Sequence, residues 1–159
     1  AGLFGATMVR GKQHADIALS VDHAVPNGAS RELFKAVMDG RSEGVFQGRI
    51  IVRPDAQKTD GRMMTQGLLL SEDASFFVKP ELEIYADDVQ CAHGATSGEI
   101  DEDILFYLLS RGIPRAEPET LLVTAFLAEA IEGLGDEAIG DAFEEISRNW
   151  LATRGQEAA

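Results

Sequence analysis

Apolar and β-branched residues fall in short runs from the start of the chain to His93, each closed by glycine, proline or polar turn residues. Leu3–Val9, Asp16–Val21, Leu33–Met38 and Val45–Val52 read as strands. Gly11, the run 26–30 (PNGAS), Gly40 and Gly44 punctuate them. Alternation assigns faces, because successive strand residues point opposite ways. It puts Phe34, Ala36 and Met38 on an inward side opposite Leu33, Lys35 and Val37, and makes Phe46, Gly48, Ile50 and Val52 the buried side of a half-buried strand. After a polar connection at 54–60, strands resume over Gly61–Ser71, Ser75–Lys79, Leu82–Ala86 and Val89–His93.

This rhythm suits a sandwich, a barrel or a parallel β-helix. Ile50-Ile51-Val52 and Leu68-Leu69-Leu70 are too uniformly apolar for a water-facing antiparallel meander, which favours the β-helix. Asn27-Gly28, Asp39-Gly40 and Asp60-Gly61 suit hairpin turns and point the other way. Pattern alone leaves the choice open.

Past Gly98 the texture turns acidic and leucine-rich, with helical spacing. Asp101 reads as an N-cap, Ile104, Leu105, Leu108 and Leu109 as an apolar stripe, and Gly112 as the stop. Pro118 fits the first turn of a second helix running to Glu132. That helix carries two stripes, Leu122, Ala125 and Phe126 on one and Val123, Leu127 and Ala130 on the other, and so has more to bury than a small domain covers. Asp136 caps a third helix with Ile139, Phe143, Ile146 and Trp150 as its stripe, and the tail after Arg154 is expected to fray. The expected organisation is mainly β with C-terminal α: a β-region over 1–98 and a helical domain over 99–159.

Composition narrows the partners. With 14 basic against 27 acidic residues the formal charge is −13, which argues against nucleic acid or an anionic membrane surface as main partner. No apolar run approaches the roughly 20 residues a membrane-spanning helix needs. One cysteine, Cys91, excludes an intrachain disulfide framework and suits a reducing, cytoplasmic compartment. The opening residues read as mid-strand, with no initiator methionine and no cap, so the chain is expected to be cut from a longer protein whose missing part lies N-terminal.

Candidate chemistry is sparse. Cys91 and His93 are two apart on a strand and leave the same face; thiolate and imidazole both bind zinc and iron. Two donors fill only half of a tetrahedral site, so any metal there needs ligands from another chain. His14 and His23 read as ordinary strand or loop histidines, and Asp87-Asp88 as a solvated turn. No P-loop, G-x-S-x-G or H-E-x-x-H motif occurs, so no self-contained catalytic machinery is recognisable.

Longer stretches carry a resemblance. Val89-Gln90-Cys91-Ala92-His93-Gly94-Ala95-Thr96, then Phe106-Tyr107-Leu108 and Ser110-Arg111-Gly112-Ile113, resemble the C-terminal part of the SufB/SufD family of iron–sulfur cluster assembly proteins. So do Gly44–Gly48, Ala56–Asp60, Leu68–Ser71 and Pro80–Ile84, giving ordered similarity over about residues 14–132. His93-Gly94-Ala95-Thr96 is more similar to the SufD branch, since SufB places a glutamate after the histidine; Gly94 supplies no carboxylate ligand here. The resemblance implies a right-handed parallel β-helix followed by a small helical domain. It implies a scaffold subunit, not an enzyme, that pairs with SufB through the β-helix, or with a second copy where SufB is absent. It further implies that the C-terminal helices bind the ATPase SufC. Cys91 and His93 then match positions linked to iron acquisition or cluster formation at the SufB interface, with no permanently bound cofactor and a transient iron or nascent cluster as cargo. Two other readings stand beside it: a purely structural oligomerisation module, and a carbohydrate-active β-helix enzyme, which needs a pair of carboxylates flanking a groove.

Overall fold

The computed structural model describes residues 1–114, 116–133 and 135–154. Seven strands come first: β1 Gly2–Val9, β2 His14–His23, β3 Ala29–Met38, β4 Glu43–Val52, β5 Asp60–Leu69, β6 Ser75–Ile84 and β7 Gln90–Glu99. Three helices follow: α1 Glu102–Ser110, α2 Ala116–Glu132 and α3 Glu137–Ala152. The expected fraying after Arg154 falls outside the described residues.

Odd and even strands separate into two sheets, β1-β3-β5-β7 and β2-β4-β6, and every pairing is parallel. Asp60 is paired with Ala29 on one side and Gln90 on the other, so each turn of the chain takes about 30 residues. The architecture is a two-sheet parallel β-helix of about three turns with helices at its C-terminal end. Sandwich, barrel and hairpin alternatives fall away. Asn27 (φ 61°) and Gly40 (φ 69°) do make turns, but these carry the chain from one sheet to the other. Left-handed turn residues reverse a chain equally well across a solenoid corner and within a hairpin.

Two strands depart from the sequence reading. Ser75–Lys79 and Leu82–Ala86 are one strand, β6, which runs through Pro80. As the edge of its sheet, β6 tolerates a residue with no N–H to give. β7 extends past Gly94 to Glu99, although its small and polar residues have weak strand preference, because pairing with β5 imposes the conformation.

Alternation within each strand builds two cores. Inward positions fill the lumen, where Phe46, Ile50, Val52 and Met63 are buried with Phe34, Leu19, Val21, Phe76 and Leu82 packed on them. The Phe34 and Phe46 rings lie 5.1 Å apart between the sheets. Outward positions of the odd sheet make the second core: Val37 and Leu68, with Ala6 and Met8, are covered by Val123 and Leu127 of α2 and Leu151 of α3. The stripe Val123, Leu127 and Ala130 is buried as expected. The α3 stripe is half as expected: Phe143 and Trp150 face inward with Ser147 and Leu151, while Ile139 and Ile146 are exposed. Ser147 fits there because it is small and its hydroxyl donates to the Phe143 carbonyl at 2.9 Å. Asp101 and Asp136 cap their helices as the sequence indicates, each carboxylate accepting from two backbone N–H groups.

Candidate functional site

The solenoid's last coil is where its regularity ends. β7 is paired with β5 and β6 with β4, and among the described residues neither has a strand on its other side. An inward-facing residue of a middle coil is covered by the next coil; those of the last coil are not. Val78 and Ile84, the β6 partners of buried Phe46 and Val52, are therefore 37% and 41% exposed.

Register places the cysteine and histidine in this mouth. Cys91 is paired with Gly61 and His93 with Met63, and Met63 belongs to the luminal core. Cys91 and His93 thus share the luminal face of β7. Cys91 is half-buried against the luminal cluster, while His93 is exposed. Gly61 contributes no side chain beneath Cys91; a Cβ there would meet Ile50 and the Ser30 hydroxyl at 3.5 Å. Among the described residues no three His, Cys, Asp or Glu side chains converge as a metal site. The structure thus offers a thiol and an imidazole side by side, at an uncovered end, without further ligands of those types.

The other candidates lie elsewhere. His14 Nδ1 is 2.9 Å from the Glu43 carboxylate across the starts of β2 and β4. His23 is buried at the end of β2, with Nε2 2.9 Å from Ser30 Oγ. Asp88 forms an exposed ion pair with Lys58 in the turn before β7.

Sequence reasoning missed the groups that fasten helices to solenoid. Lys35, an outward residue of β3, is 1% exposed under α2; its ammonium is 2.5 Å from Glu129 and 4.2 Å from the Phe126 ring centre. Its neighbours Leu33 and Val37 on the same face were the signal that something apolar covers this side. Arg154, just past α3, reaches Asp39 at 2.8 Å, Glu119 of α2 at 3.1 Å and the Leu70 carbonyl at 3.1 Å. Burial pushes the Asp39 carboxyl up, but hydrogen bonds from Arg154 and Ser71 hold it below the ordinary aspartate value. Arg10 donates to the Thr153 carbonyl at 3.0 Å, placing a cation at the negative end of α3. Between α2 and α3 a groove of about 540 Å³ has Leu127, Ile131 and Phe143 on its floor and Glu132, Asp136 and Glu144 on its rim.

Comparison with known proteins bears on this arrangement. Residues 1–126 match the family model described as "SUF system FeS cluster assembly, SufBD core domain". The chain is 46% identical over 110 residues to the iron–sulfur cluster assembly protein SufD of Escherichia coli, covering 69% of this chain and 26% of that protein. It is 36% identical over 126 residues to an iron–sulfur cluster assembly SufBD family protein of Synechocystis, covering 79% and 28% respectively. It is 40% identical over 129 residues to the chloroplastic protein ABCI7 of Arabidopsis thaliana, covering 80% and 26%. The chain spans about a quarter of the length of these relatives. A family match over most of its length and relatives at these identities together place the chain in the SufBD family of SUF-system iron–sulfur cluster assembly proteins, on its SufD-like side.

Proposed function

We propose that this chain is a non-enzymatic scaffold element of iron–sulfur cluster assembly, in which Cys91 and His93 form half of a site for iron or a nascent cluster. Membership of the SufBD family supports the role in cluster assembly. The observation that carries the site is the position of the pair on the luminal face of the terminal strand, where no further coil covers it. Thiolate and imidazole hold iron as cargo while a second chain, a SufB-like subunit, brings the remaining ligands. Stacking such a subunit on this end covers Val78 and Ile84 and pairs the open edge of β7, which satisfies backbone groups otherwise presented to water. A second copy of the chain takes the same place when the SufB-like subunit is absent. The unpaired cysteine fits a cytoplasmic setting.

The helices are the proposed receiver for the ATPase SufC, with the acid-rimmed α2–α3 groove as a surface for basic side chains. Movement of α2 acts on the odd sheet directly, because Lys35 on β3 and Glu129 on α2 are one ion pair. The same sheet ends in β7. The test is to assemble the complex from intact subunits, with and without Cys91→Ser and His93→Ala, and measure both assembly and cluster yield. The reading expects unchanged assembly with lower yield.

The uncovered end equally favours a purely structural oligomerisation module in which Cys91 and His93 are inert. Iron and sulfide analysis of the assembled complex separates the two, since the inert reading expects both variants to match the parent.

A further inference from the structure

In the lumen, one coil in from the edge strand β1, lies a polar group that the cluster-assembly reading does not use. Glu32 of β3 is 2% exposed, and neither carboxyl oxygen has a hydrogen-bond partner. Its register neighbours are Leu3 of β1 and Met63 of β5, both apolar. Two residues back, Ser30 is fully buried and its hydroxyl lies 2.9 Å from Nε2 of the buried His23. A carboxylate stripped of water and given no donor is among the costliest groups a protein can bury, and it avoids that cost by keeping its proton.

We infer that Glu32, buried without a hydrogen-bond partner, keeps its proton inside the solenoid to higher pH than an exposed glutamate does, so that the stability of these coils falls as the medium becomes less acidic. Ser30 adjoins the Glu32 carboxyl, but its hydroxyl is engaged with His23. The other ring nitrogen of His23, Nδ1, would lie 2.6 Å from a Cβ at position 28, where Gly28 leaves it room. The charged and titratable groups around Glu32 are few. His23 faces it from β2, the amino group of Ala1 from the start of β1, and Arg31 lies on the opposite face of its own strand, engaged with Asp60 of β5. Burial pushes the Glu32 carboxyl up, and Ser30, His23, the amino group and Arg31 pull it down without cancelling that effect. A group whose folded value is raised stabilises the fold at low pH. That stability is lost as pH rises from the ordinary glutamate value, about 4.3, through the raised one.

The experiment uses the intact protein. Infrared difference spectra taken just above the ordinary glutamate value, about 4.3, should contain a protonated-carboxyl band that Glu32→Gln removes. Urea midpoints followed upward from about pH 4 should decline in the parent and lose that decline in Glu32→Gln, which is neutral at every pH. Ser30→Ala removes a group favouring the ionised form and should move the decline to higher pH. Titration of ¹³C-labelled glutamate carboxyls in the parent gives the same answer without any variant. A Glu32 carboxyl that titrates at or below the ordinary glutamate value, or equal slopes in parent and Glu32→Gln, overturns the inference.

Discussion

Met63 and His93 occupy the same luminal position one coil apart, and they live in different worlds. Met63 is fully buried between Gly48 and the residues around it; His93 is exposed. The same contrast separates Phe46 from Val78 and Val52 from Ile84. In a solenoid the fate of an inward residue depends less on its own strand than on whether another coil lies beyond it. The last coil turns a core position into a surface, and that surface carries Cys91 and His93.

The comparison can be broken most forcefully by truncating both members. Met63→Ala should cost about 2–5 kcal/mol, whereas His93→Ala should stay within about 0.5 kcal/mol, both read from urea denaturation of the intact protein. Equal costs would mean that the two coils are packed alike. Next in size is Gly48, where an added Cβ would lie 2.3 Å from the Met63 sulfur and 2.6 Å from the Phe46 ring. Gly48→Ala should cost about 1–3 kcal/mol by overpacking. Gly98→Ala in the last coil, where nothing lies within 4 Å, should cost only tenths of a kcal/mol.

A smaller effect is expected at the junction with the helices. Arg154→Ala removes the partner of Asp39 and Glu119 and should cost about 1–2 kcal/mol. Hydrogen exchange should quicken in α2 and α3 while β4 and β5 keep their protection. Because the Asp39 carboxyl is held low, its contribution is present above the ordinary aspartate value and lost as pH falls through the lower folded value. The parent should therefore lose more stability on acidification than Arg154→Ala does. Equal acid sensitivity would show that the contact contributes nothing.

What the sequence revealed follows the range of the interaction responsible. The inward faces Phe34-Ala36-Met38 and Phe46-Gly48-Ile50-Val52 were legible because alternation is local, and the caps Asp101 and Asp136 because capping spans three residues. The pairing of Asp60 with both Ala29 and Gln90 was not, since parallel and antiparallel partners leave nearly the same local pattern. Lys35 read as lying opposite the inward face until α2 was laid over it, and the burial of Glu32 carried no signal in the sequence. That Cys91 and His93 share a face was legible from their spacing. That this face is the lumen, at its uncovered end, depends on stacking between strands about 30 residues apart.

The central claim is that this end is half of a cargo site completed by another SufBD chain. Iron and acid-labile sulfide per assembled complex, with assembly counted by native mass spectrometry, test it most directly. Parent complexes should carry cluster, and Cys91→Ser and His93→Ala complexes of the same stoichiometry should carry markedly less. Undiminished cluster in both variants would contradict the account.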